Sequence, residues 1–381
     1  ISTSSPSNSS PSQNPKSFLE FPFLYFIFPT KTTHMLRDLR YLFAYLPPAT
    51  AYLAVTQHGV WSFATVVFTF GLVPLYEQLS AGTTKNLTSG EEEKKAASLL
   101  FDVLLYLNLP LLFGLLWLYF SAVTSGGLAR WEVVGITLSI GIIMGSIGIN
   151  VAHELGHRKK KYEQLMAKIL LTTAMYNHFF IEHNRGHHLW VSTPRDPASA
   201  RFGEGLYRFW LRSITGSYID AWRLEIGRLR KAGKLPWSAS NEMIWLQLAH
   251  LCYLAGVWWL FGWKGVAFAI LIALVGILEL ETVNYIEHYG LRREKSASGF
   301  YEKVSPRHSW NSNHDLGRIL LYELTRHSDH HYKATRKYQI LRHFDKSPQL
   351  PYGYPASMLM ALVPLLWFRV MNPKVEKVQN G

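Results

Sequence analysis

The sequence is nearly without cysteine: Cys252 is the single one among 381 residues, and it stands inside an apolar block. That excludes a disulfide framework, a Cys-rich zinc site and a CxxC redox pair, so any iron–sulfur electron carrier must be a separate protein. Acidic residues are also scarce. Twenty-six Asp and Glu stand against 39 Lys and Arg, for a net charge of +13. No recognised nucleic-acid-binding motif accompanies this excess, which leaves anionic lipid or an acidic protein as the partners it suits.

Charge is missing above all from long stretches of the chain. Hydrophobic residues make up 48% of it and aromatics 14%, more apolar surface than a soluble domain of this length needs to bury. Six segments of membrane-spanning length, roughly 41–58, 62–80, 99–121, 132–152, 243–260 and 265–280, contain no Lys or Arg. The FGWKG sequence between the last two predicts a tight turn and an antiparallel hairpin. If the N-terminus is cytosolic, the outer loops 59–61, 122–131 and 261–264 carry only Arg130 and Lys264, while the other 37 basic residues lie inside. The net charge is therefore mainly a topology signal. The expected fold is all-α: a bundle of six transmembrane helices whose cytosolic extensions, 153–242 and 281–381, hold the chemistry.

Residues 1–40 read as a disordered or non-native extension ahead of one membrane domain, 41–381. The tract ISTSSPSNSSPSQNPKS is too polar to pack a core, and the FLEFPFLYFIFP run after it is too short to span. It lacks the basic start and cleavage site of a signal peptide. Translation starting at Met35 would account for it equally well.

Nine of the sixteen histidines fall in four short motifs: HELGH (His153, His157), EHNRGHH (His183, His187, His188), NYIEHYG (His288) and RHSDHH (His327, His330, His331). Residues three and four apart share a helix face, so His153/His157, His183/His187 and His327/His330/His331 are each expected to aim their rings at one point. Nine imidazoles suit two metals with four or five ligands each. Isolated histidines are more often ordinary polar residues, and His34, His58, His250 and His343 are read that way. His178, His308 and His314 lie near the motifs, where ligation, second-layer hydrogen bonding and gating are equally open. HELGH also satisfies the HExxH pattern of zinc peptidases, but a catalytic zinc takes about three protein ligands and would leave six clustered histidines without a role. Imidazole binds iron, copper and zinc alike, so spacing does not choose the metal.

The boxes resemble those of the membrane di-iron superfamily of desaturases, fatty-acid hydroxylases and alkane monooxygenases. HELGHR (153–158), HFFIEHNRGHH (178–188), STPRDPASARFGE (192–204), NYIEHYGL (284–291), HSWNSNH (308–314), RHSDHH (326–331) and the later GYP and NPK tripeptides are most similar to the bacterial alkane 1-monooxygenases. That resemblance covers most of 41–375. It implies two non-haem iron ions on the nine histidines, O₂ as co-substrate and terminal hydroxylation of medium- to long-chain n-alkanes. It also implies electrons from rubredoxin and its reductase, and a bacterial inner-membrane location with both termini and the metal site cytosolic.

Neutral imidazoles leave metal charge uncompensated, so Glu154, Glu182, Glu287 and Asp329, with Asp196, are candidates to orient ring N–H groups. The ordinary alternative for each is a solvated or capping carboxylate. An alkane has no polar handle and must reach the metals through an apolar channel from the bilayer. Thr69 and Gly71, small among Phe63, Phe68 and Phe70, are candidates to line it, although small residues in membranes more often serve helix packing. A fatty-acid desaturase or hydroxylase, a xylene-type monooxygenase, a membrane zinc peptidase and a metal-stabilised channel are the rival readings.

Overall fold

The computed structural model describes residues 38–380, so the reading of residues 1–37 lies outside the described residues. The described residues form helices joined by loops, with two isolated bridge pairs and no strand. The helices are α1 (Leu46–Gln57), α2 (Gly59–Leu79), α3 (Ser89–Ala97), α4 (Leu99–Ser125), α5 (Arg130–Gly156), α6 (Lys161–Thr173) and α7 (179–190). They continue with α8 (Leu206–Lys231), α9 (Glu242–His288), α10 (Asp315–Leu320), α11 (His327–Tyr332), α12 (Tyr354–Ala361) and α13 (Pro364–Asn380).

Four of these, α2, α4, α5 and α9, are long and apolar enough to cross a membrane, and α12 with α13, bent by 120°, would make a fifth if they act as one span. Of the 41–58 segment, only the 12 residues of α1 are α-helical, after a 3₁₀ stretch at Leu39–Tyr45. α9 has 47 residues, about 70 Å if straight and more than twice the apolar thickness of a bilayer. It is not straight. Gly262 takes φ 67° and ψ −170°, the left-handed region that glycine enters without a Cβ clash. A Cβ on Gly265 would lie 3.3 Å from Val257, eight residues earlier, where a straight helix would put about 12 Å between them. The chain therefore doubles back at Gly262, and the hairpin turns on one residue of the FGWKG sequence.

α5 packs against the second arm of α9 through small residues. A Cβ on Gly141 would lie 2.4 Å from Val275, and one on Gly276 would lie 2.7 Å from the Met144 Cβ. Close approach of this kind is how helices associate where the hydrophobic effect between them is absent. The main apolar core runs through α1, α4, α5, α6 and α9. A second core, centred on Tyr285, Tyr289, Trp310 and Trp367, closes the far end of α9. Trp61, Trp131 and Trp263 are exposed at the three turns read as outer loops, the position of an interfacial aromatic belt.

Candidate metal centre

All nine motif histidines converge, but not box by box. They divide into a set of five, His153, His157, His183, His188 and His330, and a set of four, His187, His288, His327 and His331. Within each set the candidate ligand atoms lie within 4.8 Å of one another. The sets adjoin: the rings of His188 and His331 are 4.5 Å apart and those of His183 and His187 5.2 Å. The expectation that His183 and His187 aim at one point fails for a local reason. Residues His183–His187 form a turn of π-helix, whose i to i+5 repeat brings His183 and His188 together and sends His187 to the other set. α11 divides likewise, sending His330 to the five and His327 and His331 to the four.

The donor chemistry fits metal ions. His188 Nε2 lies 3.0, 3.1 and 3.2 Å from the Nε2 atoms of His183, His330 and His157. A neutral imidazole carries one proton or one lone pair on that atom, so it cannot hydrogen-bond to three others at once. Lone pairs converging on one point suit a cation between them. In the second set His327 Nε2 is 2.9 Å from His331 Nε2 and 3.2 Å from His288 Nε2. Burial, reinforced by neighbouring histidines, pushes His183, His188, His327, His330 and His331 far below the usual histidine value. His157 falls to about 3 for the same first reason. These rings are neutral at pH 7 and their lone pairs are free to ligate.

Two rings are fixed from behind. His187 Nδ1–H donates to Asp196 Oδ2 at 2.9 Å, leaving a buried Nε2 with no protein partner. Asp196 is held in turn by the Ser199 hydroxyl at 2.5 Å and the Ala198 N–H at 3.0 Å. His288 Nδ1–H donates to the His308 carbonyl at 3.3 Å. The HSWNSNH stretch is the strut that holds that carbonyl. The Trp310 N–H donates to the Glu287 carbonyl, its indole N–H donates to the Tyr289 carbonyl, and Asn311 accepts from the Ser328 N–H at the start of α11.

The carboxylates read as orienting groups take different places. Glu287 Oε2 lies 3.1 Å from His327 Nε2, on the inward face of the four-histidine set, and Oε1 accepts from the Tyr354 hydroxyl at 2.8 Å. Glu154 instead pairs with Arg158 at 2.8 Å and accepts from the Tyr338 N–H. Asp329 accepts from the Arg342 N–H and faces Arg336. Their partners are arginines and backbone amides rather than ring nitrogens. Glu182 is buried beside Asp196, Asp220 and Glu281, and burial together with those neighbours pushes its carboxyl well above the usual range.

A cavity of about 40 Å³ touches both sets through His153, His183 and His327. It runs along α5 and α9 and is lined also by Gly145, Ser146, Glu279, Val283, Glu287 and Leu324. Thr69 and Gly71 are not in this lining; Gly71 is exposed on α2. The carboxylates Glu279 and Glu281 escaped the sequence reading, although polar groups inside an apolar run (ILELET) are a signal of function. Of the isolated histidines, His250 accepts from the Asn177 N–H. His178 packs its ring 4.2 Å from that of Tyr176, and burial pushes it down to about 3.

A helical membrane bundle that closes on two adjoining histidine sets defines the class: the histidine-box membrane enzymes, and residues 129–359 match the fatty acid desaturase family. The chain is 44% identical to alkane 1-monooxygenase 1 of Pseudomonas aeruginosa over 84% of this chain and 85% of that protein. It is 40% identical to an alkane 1-monooxygenase of Pseudomonas putida over 88% and 84%. It is also 32% identical to the xylene/toluene monooxygenase hydroxylase component of Pseudomonas putida over 74% and 76%. The chain belongs to the alkane 1-monooxygenase family and is a multi-pass membrane oxidoreductase of the monooxygenase type.

Proposed function

We propose that this protein hydroxylates medium- to long-chain n-alkanes at the terminal carbon, using O₂ at a non-haem di-iron centre with electrons from rubredoxin and rubredoxin reductase. The observation that carries this reading is the convergence of nine imidazoles into adjoining sets of five and four. His153, His157, His183, His188 and His330 hold one iron; His187, His288, His327 and His331 hold the other, with the Glu287 carboxylate on its inner face. Iron, when bound, supplies the O₂ reduction and C–H cleavage that no side chain performs.

The chain's own residues do the rest. Asp196 and the His308 carbonyl fix the tautomers of His187 and His288, so that each presents a lone pair inward. The cavity walls hold the substrate by shape. Apolar contacts discriminate chain length only gradually, which predicts a range of alkanes. Six spans, counting α1 and both arms of α9, with both termini and the metal centre cytosolic in a bacterial inner membrane, agree with the distribution of basic residues.

The test is iron and zinc quantification on the purified protein together with a 1-alkanol assay on octane and hexadecane, with rubredoxin and its reductase present. About two irons per chain and 1-alkanol product are expected. A single zinc per chain and no product would reject the proposal, and activity confined to acyl thioesters or to toluene would reassign the substrate.

A further inference from the structure

The dimetal site has two unlike sides. Along α5 the cavity residues Gly145, Ser146, Asn150 and His153 come first, and His157 follows one turn farther from the apolar segment. Of the nine rings, only His157 and His188 are partly exposed, and both belong to the five-histidine set; the four-histidine set is wholly buried. Their rings are 4.7 Å apart. The exposed edge of the centre is thus one small spot, away from the substrate cavity.

What surrounds that spot is apolar in the middle and basic at the rim. Leu189, next to His188, and Tyr332, next to His331, are each more than half exposed, at 56% and 57%. Leu189 thus follows a histidine of the five and Tyr332 one of the four, and the rings of those two histidines are 4.5 Å apart. Arg293 donates to the Leu189 carbonyl at 2.8 Å and fixes that corner. Exposed Lys159 and Lys160 follow His157, exposed Lys333 follows Tyr332, and exposed Arg195 stacks on Trp190 at 4.0 Å. An apolar centre with a like-charged rim suits a transient protein interface of the small, electrostatically steered kind that redox partners use.

We infer that an acidic one-electron carrier protein docks on this patch and delivers electrons through the His157/His188 edge to the five-histidine metal. The inference rests on the proposed function, which requires an external reductant. Each turnover consumes one O₂, two protons and two electrons, giving one alcohol and one water, so the carrier is oxidised by one electron twice. Among the described residues this face carries no thiol. The chain's single cysteine, Cys252, lies in α9. Charge complementarity chooses the occupant, because a basic rim attracts an acidic surface at rates that fall with ionic strength.

The test measures binding of an acidic rubredoxin to the full chain in nanodiscs, with steady-state kinetics alongside. The Lys159→Glu/Lys160→Glu/Lys333→Glu variant is expected to raise the Kd and the KM for rubredoxin at least tenfold at low salt. Its iron content and its KM for alkane should match the wild type. The Arg369→Glu/Lys377→Glu variant, on α13, should bind as the wild type does. Unchanged rubredoxin binding in the triple variant would overturn the docking site. So would equal weakening in the α13 variant, which would reduce the effect to net charge, or loss of binding to anionic vesicles alone, which would make the patch a lipid contact. If the triple variant fails to hold iron, Lys159→Gln/Lys333→Gln serves in its place, with a smaller loss of affinity expected and an unchanged Kd counting against the site. A wild type that binds rubredoxin at the patch but makes no alkanol would sink the proposed function and leave the docking site standing.

Discussion

At the scale of single residues, histidine rings become ligands only when something behind them fixes which nitrogen keeps its proton. His187 is the clearest case: Asp196 accepts from Nδ1–H and leaves Nε2 buried with no protein partner. Replacing Asp196 with Asn keeps the shape and removes the charge. Metal retention should fall by about 10- to 100-fold, as for other partners of ligating histidines; competition against a chelator, read as iron remaining per chain, measures it, and wild-type retention would contradict the role. Glu154→Gln should leave metal retention near the wild-type level, because Glu154 faces Arg158 rather than a ring. Both residues are acidic neighbours of a histidine box in sequence, and only the fold separates them.

Elements decide which histidines meet. The π-turn at His183–His187 sorts neighbouring rings into different sets, and a second π-turn, Met144–Ile149, lies on α5 beside the cavity. That stretch of α5 also touches α9 closely, since a Cβ on Gly276 would come within 3.0 Å of the Gly145 backbone nitrogen. Backbone cannot swing aside, so Gly276→Ala should cost about 1–3 kcal/mol and lower the melting temperature in detergent. An unchanged melting temperature would show that the two helices separate freely. A second joint lies at the start of α9, where Glu225 of α8 accepts from Arg185 on the histidine helix, from Arg228 and from the Glu242 N–H. Burial opposes ionisation of Glu225, but Arg228, the Glu242 amide and Arg185 outweigh it and hold the carboxyl at about 2 against an ordinary 4.5. A depressed carboxyl stabilises the fold above its unfolded value. This contribution is whole at pH 7, declines below about pH 4.5 and is gone near pH 2. The gap in melting temperature between wild type and Glu225→Gln should therefore narrow from pH 7 to pH 3; a constant gap would assign the loss to packing.

Across the whole molecule the metal centre works as a clasp. α5, α7, α9 and α11 each bring histidines to it, and four segments of sequence between His153 and His331 end at one place. Ions that bind the folded chain alone stabilise it by mass action, about 3–4 kcal/mol at 100 to 1,000 times the dissociation constant. Stripping the metal with a chelator should lower the melting temperature by several degrees, and adding Fe(II) back should restore it. No shift would mean that the cluster is preformed by packing alone.

Much of this was open to reading in the sequence because it depends on composition and spacing. Charge-free runs predict membrane helices from length alone, and nine histidines at close spacing predict a two-metal site whatever the fold does between them. The FGWKG sequence predicted the hairpin, and the structure narrows the turn to Gly262. The five-and-four division, the inward position of Glu287, the pairing of Glu154 with Arg158 and the cavity along α5 and α9 were not legible. Each depends on the pitch of a turn or on contact between helices far apart in sequence, and a helical wheel drawn at 3.6 residues per turn places His187 with His183. The sequence by itself determined which atoms are available to bind metal; the tertiary structure decided which of them share an ion, because a π-turn and a four-helix convergence set directions that spacing does not encode.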